Sequence, residues 1–286
     1  MNYLLGAHLS IAGGYYKALE KVKAIGGNCL QIFSSSPRGW SRASFSDESK
    51  RIFFDTKKRL GISTVFFHAS YLVNLADGGR IGEESKKSLI AELNAASQLG
   101  IVGSIVHIGS FKGNFPTIWD VSQDKKYSVL INNIHEVLTS TPQDTYLIIE
   151  NAGNKKIGQN IDEIASILRD INNERLKVCL DTCHLFSAGY ELSTQEKMNV
   201  FFDEFEKKIG LKKLVVLHIN DSRDPFNSGR DRHENIGQGT LSLQPFRLLL
   251  HDKRTLSLPF IIETPGFDGM GPDKKNIDIL KSLISV

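Results

Sequence analysis

Cysteine is scarce in this chain: Cys29, Cys179 and Cys183 are the only three among 286 residues. An odd count in so long a chain excludes a disulfide framework as the source of stability. Each cysteine sits in or beside an apolar run, where buried, reduced thiols are expected. Charge of one sign is also scarce. A net charge of +3 excludes nucleic-acid binding by bulk positive charge, so an anionic partner must meet a local patch or bound cations. No apolar stretch approaches the roughly 18 residues of a membrane span. The segment from Met1 to Ser10 has no basic stretch leading into an apolar one. The expectation is a soluble, intracellular protein of a reducing compartment (cytoplasm or nucleoid), with no membrane partner and with monomer as the default. Linkers, repeats and low-complexity tracts are missing too. The glycine pairs Gly13-Gly14 and Gly26-Gly27 do not make the glycine-rich phosphate loop that an open, doubly wound sheet usually carries.

The chain does have enough apolar residues, 41% against 23% charged, to bury the core of one large α/β domain spanning 1–286. Eight short apolar runs recur: Tyr3–Ala7, Cys29–Phe33, Ser63–Phe67, Ser104–Ile108, Tyr146–Ile149, Leu176–Leu180, Leu214–Leu217 and Pro259–Ile262. Their length suits strands, and several are rich in Val and Ile, as parallel strands buried on both faces should be. Helix-period stretches separate them. Lys125–Leu138 places Val129, Leu130, Ile134, Val137 and Leu138 on one face, and Ile161–Leu168 is similar. Eight strand–helix units in this length predict a (β/α)8 TIM barrel.

Six consecutive runs end on an ionisable residue: His68, His107, Glu150, Asp181, His218 and Glu263 in turn, with His184 three residues after Asp181. Parallel strands end on one face, so these side chains converge on the barrel mouth, where barrel active sites are built. A single such histidine is ordinarily a hydrogen-bonded structural residue. Carboxylates and imidazoles crowded together need cations to neutralise them. The long stretch from Asp221 to Gly239 adds Asp231 and His233, whose spacing in an extended segment lets them grip one ion with His184. Five imidazoles and four carboxylates suit zinc, manganese or iron better than magnesium or calcium. His135 and His251 fall in helix-like stretches and read as surface or structural residues. His8, ending the first run, reads equally as an orienting neighbour of the ligands or as core packing.

The ordered motifs resemble those of the endonuclease IV family of apurinic/apyrimidinic endonucleases. They are Gly6-Ala7-His8, His68-Ala69-Ser70-Tyr71-Leu72, Glu150-Asn151, Asp181-Thr182-Cys183-His184 with Ala188-Gly189-Tyr190, His218-Ile219-Asn220-Asp221-Ser222, Asp231-Arg232-His233 through Gly237-Gln238-Gly239, and Glu263-Thr264-Pro265. Singly they are weak; their order over the whole chain is specific. The resemblance implies three Zn2+ ions, with manganese or iron suited to part of the site. His68, His107 and Glu150 would hold the first. Glu150 would bridge to a second held by Asp181, His218 and Glu263. His184, Asp231 and His233 would hold the third. It implies base-excision DNA repair: hydrolysis of double-stranded DNA 5′ to an abasic site by in-line attack of a metal-activated hydroxide. The products are a 3′-hydroxyl and a 5′-deoxyribose phosphate, and blocked or damaged 3′ ends are trimmed as well. Glu150 and Glu263 would be the catalytic carboxylates.

The resemblance also makes Arg38, in the basic loop Ser34–Arg42, and Tyr71 the residues that enter the base stack at the lesion. Without it, Arg38 reads as a solvated loop charge and Tyr71 as a rim aromatic. Arg223, Arg230 and Arg232 are placed to meet phosphates. The chain departs from the family pattern at Ala69, where Asp is frequent, at Ile108, where Pro is frequent, and in the short Asn151-Ala152-Gly153 segment. No ligand is lost, and these changes bear on loop shape and lesion preference. Two other readings remain open. A metal-dependent sugar isomerase or epimerase on the same fold would also end strands on Glu, Asp and His, with fewer ions. A non-catalytic lesion-binding protein would have shed ligands.

Overall fold

The structure, a computed structural model, describes residues 3–111, 125–153 and 156–285. Residues 1, 2 and 286, at the limits of the expected 1–286 domain, lie outside that set. Eight parallel strands close into a barrel: β1 (Leu4–His8), β2 (Cys29–Phe33), β3 (Thr64–His68), β4 (Gly103–Val106), β5 (Tyr146–Glu150), β6 (Leu176–Asp181), β7 (Leu214–His218) and β10 (Pro259–Ile262). The seam closes where Leu5 of β1 pairs with Phe260 of β10. Two short strands, β8 (Asp221–Ser222) and β9 (His233–Glu234), form a separate antiparallel ribbon inside the long seventh loop. The expected strands are all present with small shifts at their ends. The fourth stops at Val106 rather than Ile108, so His107 is the first residue beyond β4.

The helices fall where periodicity and capping residues put them. Helix Asp47–Leu60 starts at Ser46, whose hydroxyl accepts from the Ser49 amide, and stops at Gly61 in the left-handed region. Asn160, Thr194 and Asp273 cap helices Ile161–Ile171, Gln195–Lys208 and Lys274–Ile284 in the same way. Their apolar faces cover the outside of the barrel. None of the described helices is long and apolar enough to cross a membrane.

Strand alternation divides the core. Leu147 and Ile149 of β5 pack outward against the helices, while Ile148 points into the lumen. One such residue per strand forms a compact apolar cluster inside the barrel: Cys29, Phe66, Ile105, Ile148, Cys179, Val216 and Ile261. The corresponding position on β1 is Gly6. A Cβ there would lie 2.0 Å from the Cys29 carbonyl oxygen, so glycine is what lets β1 close against β2. All three cysteines are free and buried, as expected.

Candidate metal centre at the barrel mouth

Two residues beyond the apolar cluster, the same strands present His8, Gln31, His68, His107, Glu150, Asp181, His218 and Glu263. The two-residue strand period alone carries each inward position from the apolar cluster to the polar one. Asp181 also ends β6 as a helix cap: its Oδ1 accepts from the His184 amide at 3.0 Å. That bond starts helix Thr182–Ser187 and turns His184 back toward the mouth, which is why a carboxylate and an imidazole three residues apart meet.

Glu150 is fully buried at the centre. Its Oε2 faces His68 Nε2 at 3.2 Å and His107 Nε2 at 3.4 Å, and its Oε1 faces His218 Nδ1 at 3.0 Å. One carboxylate thus addresses two separate donor groups. His68, His107 and Glu150 form one set with ligand atoms within 4.8 Å of one another; Glu150, Asp181, His218 and Glu263 form a second. The expected trio of His184, Asp231 and His233 is divided between two further sets. His184 joins His107 and Asp231 in one, and Asp181 and His233 in the other. Asp231 Oδ1 still lies 2.9 Å from His184 Nε2 and 3.7 Å from His233 Nε2.

The opposite edges of the imidazoles are tied to fixed acceptors. His68 Nδ1 donates to the Ala69 carbonyl at 2.9 Å, His184 Nδ1 to the Asn151 carbonyl at 2.9 Å, and His233 Nδ1 to the Glu263 carbonyl at 3.3 Å. His218 Nε2 lies 2.7 Å from Gln31 Oε1 and donates to it. When the ring is neutral, the nitrogen turned toward the carboxylates is then the one with a lone pair, which is how neighbouring groups orient histidine ligands. Buried nitrogens without a hydrogen bond also occur: His107 Nδ1, His184 Nε2, His233 Nε2 and His8 Nε2. A cation bound at these nitrogens would give them a partner.

The charges lead to the same conclusion. Burial pushes the Glu150 carboxyl up, but His107 and His218 more than offset this and hold it well below the ordinary range. Glu263 behaves similarly, with burial opposed by His218 and His8. Burial alone would lower His184 and His218; Asp181 and Asp231 around the first, and Cys179, Glu263 and Glu150 around the second, lift both well above the usual imidazole value. His107 has fewer acidic neighbours, and burial takes it down to about 3. The carboxylates therefore demand positive charge, supplied by imidazole protons or by metal ions. The donor set and its orientation fit divalent ions.

Three neutral side chains that complete the site were not assigned roles from sequence. Gln31 donates to Glu263 Oε1 and accepts from His218, spanning the mouth. Asn220 Nδ2 donates to Asp181 Oδ2 at 2.6 Å, and its Oδ1 accepts from the Glu263 amide at 2.7 Å. Asn151 Oδ1 accepts from the Asp181 amide at 2.6 Å. The available signal was a lone polar residue within an apolar run, as in Cys29-Leu-Gln31-Ile-Phe. His8 Nδ1, 2.9 Å from Glu263 Oε1, proves to be an orienting neighbour. His135 and His251 lie far along the helices, as expected.

A cleft of about 430 Å³ opens above the cluster, lined by His8, Phe33, His68, Tyr71, Lys156 and Glu263 among others. Tyr71 is 68% exposed at its rim, its ring edge-on to Phe33. Arg38 is exposed, and among the described residues no carboxylate pairs with it. The arginines of the seventh loop are paired. Arg223 meets Glu234 at 3.2 Å, Arg230 meets Asp224 at 3.3 Å, and Arg232 grips Asp224 through two nitrogens. That loop is also tied to Asp221, whose carboxylate accepts from the Ser222, Gly237, Gly239 and Leu241 amides at 2.8–3.0 Å. A Cβ on Gly239 would fall 2.4 Å from Asp221 Oδ1.

Residues 19–283 match the family model described as xylose isomerase-like TIM barrel. The "Probable endonuclease 4" of Persephonella marina is 35% identical over 98% of this chain and 96% of its own length. That of Aquifex aeolicus is 35% identical over 98% and 97%. The chain belongs to the endonuclease IV family. The crystal structure of endonuclease IV from Thermus thermophilus is similar over 98% of both chains, with 30% identity and a TM-score of 0.84. A 3-keto-D-glucoside 4-epimerase from E. coli matches at 12% identity with a TM-score of 0.69, a likeness of fold alone.

Proposed function

We propose that this chain is a metal-dependent DNA repair endonuclease that hydrolyses the phosphodiester 5′ to an abasic site. The products are a 3′-hydroxyl and a 5′-deoxyribose phosphate, and trimming of blocked 3′ ends follows from the same chemistry. The observation that carries the reading is Glu150, one buried carboxylate whose two oxygens address two groups of imidazoles. His68, His107 and Glu150 would hold one ion, Glu150, Asp181, His218 and Glu263 a second, and His184, Asp231 and His233, with His107 and Asp181 close by, a third, with zinc favoured by the ligand types. Divalent ions bound there would lower the pKa of a water, orient the phosphate for in-line attack and stabilise the leaving 3′ oxygen.

Glu263 acts on the attacking water. Its Oε1 is fixed by His8 and Gln31, and its Oε2 lies 3.6 Å from His218 Nδ1, so the carboxylate is held at the edge of the cluster, where it would aim the nucleophile. Arg38 and Tyr71 flank the lesion. An abasic nucleotide has lost its base stacking, so its extrusion is less costly than flipping an intact one. Arg38, with no carboxylate partner among the described residues, carries its charge to the strand, and the exposed Tyr71 ring stacks where the base is missing. Arg223 and Arg230 each use one nitrogen for their carboxylate and keep others for phosphate. Arg232, held at two points, serves first to shape the loop and meets phosphate with its remaining edge.

The test uses a duplex with one tetrahydrofuran abasic analogue, which cannot undergo β-elimination. A nick immediately 5′ to it with a 3′-hydroxyl is expected, and Glu263→Gln should bind the same duplex yet barely cut it. Tyr71→Ala should reduce the preference for abasic over intact duplex. An uncut duplex with fully metallated protein would overturn the reading and send the site to aldose–ketose conversion assays.

A further inference from the structure

Among the described residues, Lys156 is the one permanent cation lining the cleft above the carboxylate–imidazole cluster. Its Nζ lies 3.4 Å from Asp231 Oδ2, on the side of that carboxylate facing away from His184. The adjoining backbone is pinned. The Ile157 amide donates to the Gly109 carbonyl at 2.9 Å, the Ile157 side chain is buried, and the Gly158 amide donates to Glu163 at 2.8 Å. Lys156 thus projects from a fixed point.

A second cavity of about 330 Å³ lies beside the first. The two share His68, Tyr71, His107 and Lys156 as a common wall. Beyond that wall the second cavity is lined by Ser70, Leu72, Val73, Asn74, Ile81, Gly109 and Ser110, and among the described residues no carboxylate takes part. A space bordered by one ammonium, two imidazoles, neutral polar groups and the aliphatic Leu72, Val73 and Ile81, with no acid among the described residues, suits an anion better than a cation. The Lys156–Asp231 contact, with both side chains partly exposed, is a weak tie. Releasing it costs little, whereas an ammonium meeting a phosphate oxygen makes a strong charge-assisted hydrogen bond.

Resting on the endonuclease reading, we propose that the second cavity is a subsite for the backbone phosphodiester next to the scissile one, and that Lys156 is the residue that binds it. The ammonium leaves Asp231 as the strand enters and spans the wall between the cavities. Asp231 is then free to turn both oxygens to the imidazoles.

The experiment compares the metal-loaded parent with Lys156→Ala and Lys156→Arg. It measures steady-state nicking of the tetrahydrofuran duplex, anisotropy binding over a range of salt, and metal content. Lys156→Ala should raise Kd and KM about tenfold, the loss of one charge-assisted contact, with kcat little changed. The slope of log Kd against log salt should become shallower by about one unit, as one phosphate contact is lost. Lys156→Arg should restore both, and metal content should match the parent in all three. Unchanged KM and salt slope in Lys156→Ala, with a parent that nicks normally, would overturn the subsite. So would loss of metal with a collapse of kcat, because Lys156 would then serve only to hold Asp231. A parent that leaves the duplex uncut overturns the endonuclease reading, and the subsite falls with it.

Discussion

The barrel lumen holds two rings of side chains set one strand period apart, and they have opposite characters. The lower ring, Gly6, Cys29, Phe66, Ile105, Ile148, Cys179, Val216 and Ile261, is dry and apolar. The upper ring, His8, Gln31, His68, His107, Glu150, Asp181, His218 and Glu263, is polar, charged and closely bonded. Both come from the same eight strands, and only His184, from the short helix after β6, and Asp231 and His233, from the seventh loop, are added to the upper ring from outside them. A two-residue step along each strand separates the part that holds the barrel closed from the part that could hold cations. Stability and chemistry should therefore be separable by mutations only two positions apart.

The sharpest way to break the comparison is on β5. Glu150→Gln keeps the shape of the upper ring and removes the charge that two donor groups share. Nicking of an abasic duplex should fall by more than about a thousandfold, since several kcal/mol of transition-state stabilisation go with the ions. Metal content should drop with it, while the apo protein keeps its far-ultraviolet circular dichroism. Full metal occupancy in Glu150→Gln would show that the carboxylate is not shared.

The complementary change is in the lower ring. Phe66→Ala, two residues before His68, should cost about 3–5 kcal/mol in a denaturant titration. The molecules that remain folded should bind metal and cut at close to the parent rate. Equal losses of stability and of rate per folded molecule would show that the rings are mechanically coupled.

The smallest effect concerns a carboxyl buried outside both rings, within electrostatic reach of His68. Glu92, in helix Arg80–Leu99, is buried and receives hydrogen bonds from the Ser34 and Ser104 hydroxyls. Burial pushes it from an ordinary 4.5 up to about 7. Glu150 is equally buried yet held low, because its neighbours are imidazoles rather than hydroxyls. A folded value above the unfolded one means that the folded state keeps its proton longer. Below about 4.5 the two states are protonated alike; stability is then lost as pH rises toward about 7. Glu92→Gln removes that loss. It should be more stable than the parent by on the order of 2 kcal/mol at pH 8, and the gap should close at pH 4.5. A gap independent of pH would mean that Glu92 is ionised in the folded protein.

The upper ring was largely legible in the sequence because its members sit at the ends of strand-length apolar runs, where the fold itself dictates convergence. Glu150, Asp181 and His218 needed only the count of runs and the direction of parallel strands. Gln31 was not legible, since an uncharged side chain in the middle of Cys29–Phe33 signals nothing until the opposite wall of the barrel is known. Lys156 was hidden for a different reason: its place beside Asp231 depends on two loops that meet only in three dimensions. The partnering of Arg230 and Arg232 with Asp224 likewise follows from how the seventh loop folds back, which no spacing rule gives. His107 illustrates the limits of strand boundaries. Its run continues to Ile108 in the sequence, yet the ladder stops one residue before it.

The knot at Asp221 has a consequence for how the partners share the work of recognition. A surface segment as long as Asp221–Gly239 would ordinarily have to be frozen when a ligand arrives, at an entropic cost to affinity. Here four amides are already fastened to one carboxylate, so the two ends of the segment are tied together before any ligand arrives. In the proposed complex the deformation falls on the duplex instead. Substrates would then be ranked by how readily they bend and unstack rather than by what the protein touches.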